Sequence, residues 1–178
     1  MERLNNVLAE KARNIKWLFT DVDGTLTDGT VFYSSGGEAL KPFSLRDGTG
    51  FFLLRECGIH VGIITGEDSP IVARRAKKLQ VDALLMKAVP KTATLQNFLT
   101  ERDLSFQEVA YIGDDLNDIH LMQLCGLSFA VGDASERAKA KADIVCRAAG
   151  GAGAFREAVE LLLAYRDENI DRIIEQRL

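Results

Sequence analysis

Cysteine is scarce in this chain, and its few copies do not form a recognisable framework. The 178 residues include three cysteines, Cys57, Cys125 and Cys146, an odd number with no spacing typical of metal ligands. We therefore expect neither a disulfide scaffold nor a thiolate metal site. All three are interpreted as small buried apolar residues in a reducing cytoplasm.

Long apolar runs and an excess of positive charge are also missing. No apolar run approaches the roughly 20 residues of a transmembrane helix. The start, MERLNNVLAEKARNI, contains acids and lacks the apolar centre of a secretory signal. The formal net charge of -4 gives no support to binding of nucleic acid or of an anionic membrane. The sequence thus predicts a cytoplasmic protein with no membrane or nucleic-acid partner.

The chain does contain many apolar residues, arranged as short runs that alternate with helical segments. With 178 residues, 47% of them hydrophobic, it is long enough for one domain over 1–178. Buried strands are predicted at 15–19, 59–65, 82–86, 108–113, 127–131 and 142–146. Helices are predicted at about 1–13, 47–58, 69–79, 90–102, up to 124, and 152–176. Such alternation is typical of an α/β domain with a doubly wound, Rossmann-like parallel sheet.

Two segments stand apart from this alternation. Residues 29–44 contain two short extended runs around an SSGGE turn and are predicted to form a β-hairpin flap, with Asp28 in a turn at its entrance. The tail from about 152 to 176 is predicted to be one long helix, because four of its apolar residues share a face. These are Phe155, Val159, Leu162 and Leu163.

Polar side chains stand where several of the predicted strands end. Asp21 and Asp23 follow the first strand, and Thr65 ends the second. Asp114 and Asp115 follow the fourth strand. Carboxyl ends of parallel strands share one edge of the sheet, where doubly wound folds bind ligands. We therefore predict a site at this edge, although Asp114 taken alone is equally well explained as a helix cap.

Three acids at one edge need positive charge between them. Asp21 and Asp23 are two residues apart and can face the same crevice, which Asp114 would join. An oxygen-rich hollow of this kind suits Mg²⁺, which keeps several waters and accepts phosphate oxygens.

Phosphoryl transfer would require a nucleophile and cationic or hydrogen-bonding groups. An aspartate can be the nucleophile, as in enzymes that form an aspartyl-phosphate. Thr65 and the Gly66 amide at the second strand end, and Lys91 at a helix start, could bind the phosphoryl oxygens. A lysine at a helix N-terminus is disfavoured by the helix dipole, which favours a functional interpretation of Lys91.

Four motifs resemble those of the haloacid dehalogenase superfamily of phosphatases. They are DVDGT (21–25), IITG (63–66), Lys91 and GDDLND (113–118), in this order over nearly the whole chain. The resemblance implies that Asp21 attacks phosphorus, and that Asp23 is general acid to the leaving alkoxide and then base for water. A general acid at this position favours a phosphatase over a dehalogenase.

The same resemblance implies a Mg²⁺ site and a phosphoryl site. The metal ligands would be Asp21, the backbone carbonyl of Asp23 and Asp114, and the phosphoryl group would contact Thr65 and Lys91. Asp115 and Asp118 would support this set by orienting Lys91 or metal-bound water. Both also fit ordinary acids in the first turn of a helix.

The chain has no room for the cap domain that many superfamily members insert. Only the hairpin follows the first motif, and one helix and one strand separate the second motif from the third. The stretches RDGTG (46–50), TGE (65–67) and GGAGAFRE (150–157) resemble the capless phosphatases of 3-deoxy-ulosonate phosphates. Those enzymes act on Kdo 8-phosphate, a lipopolysaccharide precursor, or on nine-carbon relatives such as KDN and sialic acid 9-phosphates. The resemblance also implies a homotetramer in which neighbouring subunits close each site.

Candidate substrate-binding residues are Gly66, Glu67, Arg75 and Lys78. Kdo 8-phosphate members typically have arginine at the position of Glu67, so Glu67 slightly favours the nine-carbon branch, and Ala152 is a second departure. Lys78 lies eleven residues beyond Glu67, about 16 Å along a helix. Arg75 and Lys78 would therefore more readily serve a neighbouring subunit, or form only a solvated basic face.

Two other functions remain compatible with these motifs. One is a broad-specificity phosphatase of small phosphate esters. The other is a non-catalytic regulator that keeps the fold, which the intact Asp21, Asp23, Lys91 and Asp114 argue against.

Overall fold

A six-stranded parallel sheet forms the centre of the fold. The structure is a computed structural model that describes residues 2–177. In chain order the strands are β1 (Trp17–Thr20), β2 (Phe32–Ser34), β3 (Gly37–Leu40), β4 (His60–Ile64), β5 (Ala83–Leu85), β6 (Val109–Gly113), β7 (Leu127–Ala130) and β8 (Ile144–Val145). The large sheet has the order β5-β4-β1-β6-β7-β8, and all its pairs are parallel. The prediction of a doubly wound α/β fold is confirmed.

Helices connect the strands. They are α1 (Glu2–Arg13), α2 (Leu45–Glu56), α3 (Pro70–Leu79), α4 (Lys91–Thr100), α5 (Ile119–Leu124), α6 (Glu136–Lys139), α7 (Ala154–Tyr165) and α8 (Ile170–Arg177), with single 3-10 turns at Phe106–Glu108 and Leu116–Asp118. The short α6 was not expected from the sequence. Among residues 2–177, no helix combines the length and the apolar character needed to span a membrane.

Aromatic rings cluster around β1, at the middle of the sheet. Every residue of β1 is buried, and Trp17 and Phe19 stack with their ring centroids 5.4 Å apart. Phe98 from α4 meets both rings edge-on, at 5.0 and 5.3 Å. Gly62 lies beside Phe19 in the neighbouring β4, and a Cβ there would come within 2.1 Å of the Phe19 ring. Glycine in this strand therefore makes room for the central aromatic cluster.

The hairpin flap is shorter than predicted but lies where the sequence indicates. β2 and β3 pair antiparallel between β1 and α2, and no cap domain is inserted elsewhere in the described chain. Asp28 precedes the flap, and its Oδ1 accepts a hydrogen bond from the Thr30 amide at 2.9 Å. This Asp turn confirms the expected structural role of Asp28.

The prediction of one long C-terminal helix is wrong. α7 ends at Tyr165, and α8 begins at Ile170 after a polar turn. Asp167 in this turn has a φ of +60°, and the Glu168 amide bonds back to the Leu163 carbonyl at 3.0 Å. A left-handed residue of this kind closes a helix in the manner of a C-terminal cap. The apolar face is continuous in the sequence, but the polar residues between the helices end the first one.

Burial of the cysteines was predicted correctly for two of the three. Cys125 and Cys146 are buried, whereas Cys57 is only partly buried. Cys57 caps the C-terminus of α2, where Gly58 turns the chain with a φ of +68°. Its place at a helix end near the surface explains the incomplete burial.

Candidate active site

The predicted catalytic residues meet at the carboxyl edge of the sheet. Asp21 directly follows β1, Thr65 follows β4 and Asp114 follows β6. They border a cavity of about 190 Å³. Its lining residues are Asp21, Asp23, Thr65, Gly66, Glu67, Asp114, Asp115 and Asn117. The geometry thus brings together the ends of three neighbouring strands, as the topology of the sheet requires.

Lys91 is the cation at the base of this site. Its Nζ lies 2.7 Å from Asp21 Oδ1 and 2.6 Å from Asp118 Oδ1, and only 3% of its side chain is exposed. Burial alone would lower the pKa of Lys91, but the two carboxylates outweigh it and raise the pKa. The ammonium therefore stays charged beside Asp21.

Asp118 holds Lys91 in place. Its Oδ1 accepts hydrogen bonds from Lys91 Nζ and, at 2.5 Å, from the Tyr111 hydroxyl. Its Oδ2 accepts from the backbone amides of Asp114 and Asp115 at 2.9 and 3.2 Å. This fully buried carboxylate accepts from four donors. It therefore fixes the position of the lysine and of the loop after β6.

Tyr111 was missed by the sequence analysis. It lies within β6, whose residues are all buried, so nothing in the local pattern separates it from an ordinary core residue. Burial and the charge of Asp118 raise its pKa well above the usual value, so the hydroxyl stays protonated and remains a donor.

Three carboxylates near Lys91 give the site excess negative charge. Asp21, Asp114 and Asp118 each offer an oxygen, and these oxygens lie within 4.8 Å of one another. Burial and the charge of Asp118 raise the pKa of Asp21 to about 8 and that of Asp114 to about 6, although Lys91 opposes both shifts. A divalent cation would compensate this charge and favour the ionised acids. Because the oxygens of Asp118 are already occupied by donors, Asp21 and Asp114 are the acids that fit such an ion.

The loop after β1 is shaped to receive Asp114. Gly24 has a φ of +89°, and a Cβ at this position would come within 2.1 Å of Asp114 Oδ2. The Thr25 hydroxyl donates to Asp114 Oδ1 at 3.2 Å. The glycine and threonine of DVDGT therefore position an acid from a different strand.

Asp23 has a partner that the sequence analysis also missed. Lys41, just after the hairpin, places its Nζ 2.6 Å from Asp23 Oδ1 and 3.0 Å from Glu38 Oε1. The lysine side chain is 1% exposed and that of Asp23 28% exposed. Lys41 does not belong to a recognisable sequence motif, so its contact with the site becomes visible only in the folded hairpin.

The candidate substrate-binding residues divide into two groups. Gly66 and Glu67 line the cavity, and the Glu67 amide donates to the Thr65 hydroxyl at 3.2 Å. Arg75 instead donates from Nη2 to the Ser44 carbonyl at 2.8 Å. The exposed Lys78 does not border the cavity. The structure therefore does not bring Arg75 and Lys78 to the cavity of their own subunit.

Asp115 and Asn117 complete the rim of the cavity. Asp115 borders it and is exposed, but the ion pairs of Lys91 within the described chain go to Asp21 and Asp118. Of the two supporting acids, Asp118 is thus the one that orients Lys91. Asn117, which was not singled out from the sequence, also borders the cavity.

Comparison with protein families agrees with this geometry. The model of haloacid dehalogenase-like hydrolases matches residues 72–154, which include Lys91 and Asp114. This match covers less than half of the chain, but the relatives described next match nearly all of it. They show that the chain is a haloacid dehalogenase-like phosphatase, and the expectation of a phosphatase of this type is confirmed.

Individual relatives show to which branch of the superfamily the chain belongs. The chain is 39% identical over 156 residues to 3-deoxy-D-manno-octulosonate 8-phosphate phosphatase KdsC of Haemophilus influenzae, covering 88% of this chain and 87% of the relative. The cobalt-bound structure of the phosphatase from that organism matches with a TM-score of 0.84 at 39% identity, covering 88% of this chain and 92% of the other. The enzyme of Moraxella catarrhalis in complex with magnesium, phosphate and KDO matches with a TM-score of 0.91 at 35% identity, covering 97% and 99%. The chain belongs to the family of 3-deoxy-D-manno-octulosonate 8-phosphate phosphatases.

Proposed function

We propose that this protein hydrolyses the phosphate ester of a 3-deoxy-ulosonate in a Mg²⁺-dependent reaction, with Kdo 8-phosphate as the first candidate substrate. The observation that carries the proposal is the buried Lys91, held between Asp21 and Asp118 beside the cavity. A buried lysine bound to a strand-end aspartate suits a nucleophile that must approach a negatively charged phosphoryl group.

Asp21 is the proposed nucleophile. One of its oxygens forms a bond to phosphorus while the ester P–O bond breaks, and Asp23 donates a proton to the departing alkoxide. Lys91, Thr65 and the Gly66 amide bind the phosphoryl oxygens and stabilise their charge. Asp23 then accepts a proton from the water that hydrolyses the aspartyl-phosphate, which returns both acids to their starting states.

Asp21, the backbone carbonyl of Asp23 and Asp114 are the proposed ligands of Mg²⁺. The shared reach of the Asp21 and Asp114 oxygens and their raised pKa values support this set. When bound, Mg²⁺ would neutralise the phosphate and keep the carboxylates ionised. The Moraxella relative was solved in complex with magnesium and phosphate, which supports magnesium as the metal.

The most specific part of the proposal is the number of carbon atoms in the sugar acid. The relatives named for Kdo 8-phosphate support an eight-carbon substrate. Glu67, which lines the cavity, supports a nine-carbon KDN or sialic acid 9-phosphate as the second candidate. The reason is the resemblance noted above, in which Kdo 8-phosphate members typically have arginine at this position. At about 190 Å³, the cavity encloses the phosphoryl group better than a whole sugar acid.

A neighbouring subunit would complete this open site. We propose that residues 1–178 act as one domain within a homotetramer in which the hairpins pack together. Phe32, Tyr33 and Leu40 of the hairpin are exposed, which supports a contact there. Arg75 and Lys78, which do not border their own cavity, would then serve the site of a neighbour. The free cysteines are consistent with a cytoplasmic location.

A substrate panel tests the proposed function. Initial rates with Mg²⁺ are compared for Kdo 8-phosphate, KDN 9-phosphate, N-acetylneuraminate 9-phosphate and simple sugar phosphates, with Asp21→Asn as the inactive control. We expect kcat/KM to be highest for one of the ulosonate phosphates. Similar values for all substrates would favour the broad-specificity phosphatase. No hydrolysis of any ester would favour the non-catalytic regulator.

A further inference from the structure

Lys41 is a buried cation outside the motifs that define the family. Its side chain is 1% exposed, yet it comes from the end of an otherwise exposed hairpin. It makes two ion pairs, to Asp23 Oδ1 at 2.6 Å and to Glu38 Oε1 at 3.0 Å. A buried ammonium with two carboxylate partners has little freedom to move, because leaving either partner would strand a charge.

Glu38 fixes this cation from the other side. The Ser69 hydroxyl donates a short hydrogen bond to Glu38 Oε2, and Ser69 is buried at the N-cap of α3, where it accepts from the Val72 amide at 3.4 Å. Lys41 is therefore anchored through Glu38 to the helix that follows the loop containing Glu67. The contact does not depend on the hairpin alone.

Only one of the two carboxylate oxygens of Asp23 has a hydrogen-bond partner in the described part of the chain. Its Oδ1 is bound to Lys41, whereas no hydrogen bond to Oδ2 comes from any residue between 2 and 177. The residue lines the catalytic cavity and 28% of its side chain is exposed. Without Lys41, the side chain would have no partner in the described chain to select one rotamer.

We propose that Lys41 is a positioning residue for Asp23, holding Oδ1 so that Oδ2 is the oxygen that exchanges the proton with the leaving group. The inference rests on the proposed role of Asp23 as general acid. In the first step Asp23 is in its acid form, with the proton on Oδ2 and with Oδ1 accepting from the Lys41 ammonium. That proton passes to the ester oxygen as the P–O bond breaks, and Lys41 keeps its own protons. The structure thus couples the hairpin to the proton-transfer step through one ion pair.

The dependence of the rate on the leaving group tests this role. An alkyl phosphate, such as a sugar phosphate, needs a proton for its alkoxide, whereas p-nitrophenyl phosphate releases a stable phenolate without one. We expect Lys41→Met to lower kcat/KM for the alkyl ester by roughly 10- to 100-fold, the scale of a misplaced catalytic group. The value for p-nitrophenyl phosphate should change by less than about threefold, because kcat/KM does not include hydrolysis of the aspartyl-phosphate.

Two further variants control for charge and folding. Lys87→Met removes a lysine whose ion pair with Asp68, at 2.7 Å, is exposed, and both esters should react as in the wild type. Glu38→Gln/Lys41→Met removes Lys41 together with its second carboxylate partner. It serves if the single variant unfolds because its Glu38 is left unpaired. The same difference between alkyl and aryl esters is expected in this double variant. An equal loss for both esters would mean that Lys41 is only structural and would overturn the proposal.

A double-mutant cycle with Asp23→Asn separates this inference from the proposed function. Asp23→Asn should show the same selective loss, and adding Lys41→Met should cause no further selective loss, because both act through one group. If Asp23→Asn affects both esters equally, the general-acid role of Asp23 fails. If Asp23→Asn is selective and Lys41→Met is not, only the role of Lys41 fails.

Discussion

Two glycines of the catalytic motifs matter because they carry no side chain. A Cβ on Gly24 would come within 2.1 Å of Asp114 Oδ2, and one on Gly113 within 2.5 Å of the Asp118 carboxyl group. Each glycine thus lets an acid from the loop after β6 approach the backbone closely. The spacing of acids in the site depends on these contacts as much as on the acids themselves.

Gly24→Ala should weaken metal binding. The new methyl group would displace Asp114 and add the strain of a side chain at a φ of +89°, a strain of about 1–2 kcal/mol. Titration calorimetry with Mg²⁺ should show an affinity at least about 10-fold lower than that of the wild type, the scale seen when groups supporting a metal ligand are lost.

Gly29→Ala is the matched control for this change. Gly29 also has a positive φ, +79°, but a Cβ there would meet nothing closer than 3.7 Å. It should lower the melting temperature similarly and leave Mg²⁺ affinity unchanged. Equal losses of affinity in both variants would contradict the role of Gly24 in positioning Asp114 for the metal ion.

Site residues could be predicted from the sequence where they stand in a recognisable motif. Asp21 and Asp114 could be placed from the sequence because strand ends in a parallel sheet share an edge. Lys91 could be placed because it starts a helix and matches a motif of the family. Lys41 and Tyr111 could not. They reach the site through the fold of a hairpin and through the interior of a strand, where neither spacing nor composition marks them.

Among the secondary-structure elements, α2 and α7 are joined by a buried acid. Asp47 in the first turn of α2 accepts from the Arg156 amide in the first turn of α7 at 3.1 Å. Its Oδ2 is buried without a hydrogen-bond partner. Burial raises the pKa of Asp47 from 3.8 to about 6, although the Arg156 amide and the charges of Arg75 and Arg156 oppose the shift.

Asp47→Asn should change how stability depends on pH. The folded wild type keeps the Asp47 proton up to about pH 6, whereas the unfolded chain loses it near 3.8, so this group makes folding less favourable as pH rises between these values. The asparagine variant lacks this penalty. Relative to the wild type, its free energy of unfolding should increase by about 2–3 kcal/mol between pH 4 and pH 7.

Urea unfolding at the two pH values measures this difference. Asp103→Asn, a change of an exposed loop acid, is the control and should leave the difference from the wild type nearly constant. A constant difference for Asp47→Asn as well would contradict the assignment of Asp47 as a buried acid with a raised pKa.

For helices and strands, the sequence predicts the order along the chain better than the residues at which each one ends. The strands of the sheet were found because their buried runs are short and bounded by polar residues. The C-terminal helix was predicted as one because its apolar face is regular. The left-handed Asp167, which separates α7 from α8, has no signature that distinguishes it from other polar residues of the tail.

For the whole molecule, the hairpin is an exposed apolar feature that is joined to the site through the ion pair of Lys41 with Asp23. Tyr33 is 74% exposed and Leu40 64% exposed, and neither lines the catalytic cavity. An exposed apolar patch of this kind is typical of a contact between protein subunits. In the proposed tetramer, neighbouring subunits would cover this surface and also close the site.

Size-exclusion chromatography with light scattering should show a tetramer for the wild type. Tyr33→Asp places a charge on the hairpin and should yield smaller species with a higher KM for the sugar-acid phosphate. Leu124→Asp changes an exposed apolar residue at the end of α5 and should leave the assembly intact. A fully active wild-type monomer would contradict closure of the site by neighbouring subunits.

The most direct test of the account is detection of phosphorylated Asp21. Asp23→Asn enzyme is mixed with Mg²⁺ and p-nitrophenyl phosphate, quenched in acid and digested for mass spectrometry. Hydrolysis of the aspartyl-phosphate should be slow without the Asp23 base, so the peptide containing Asp21 should gain the mass of one phosphoryl group. The same peptide from Asp21→Asn enzyme should not. A stoichiometric burst of p-nitrophenol with no phosphorylated Asp21 peptide would contradict the account.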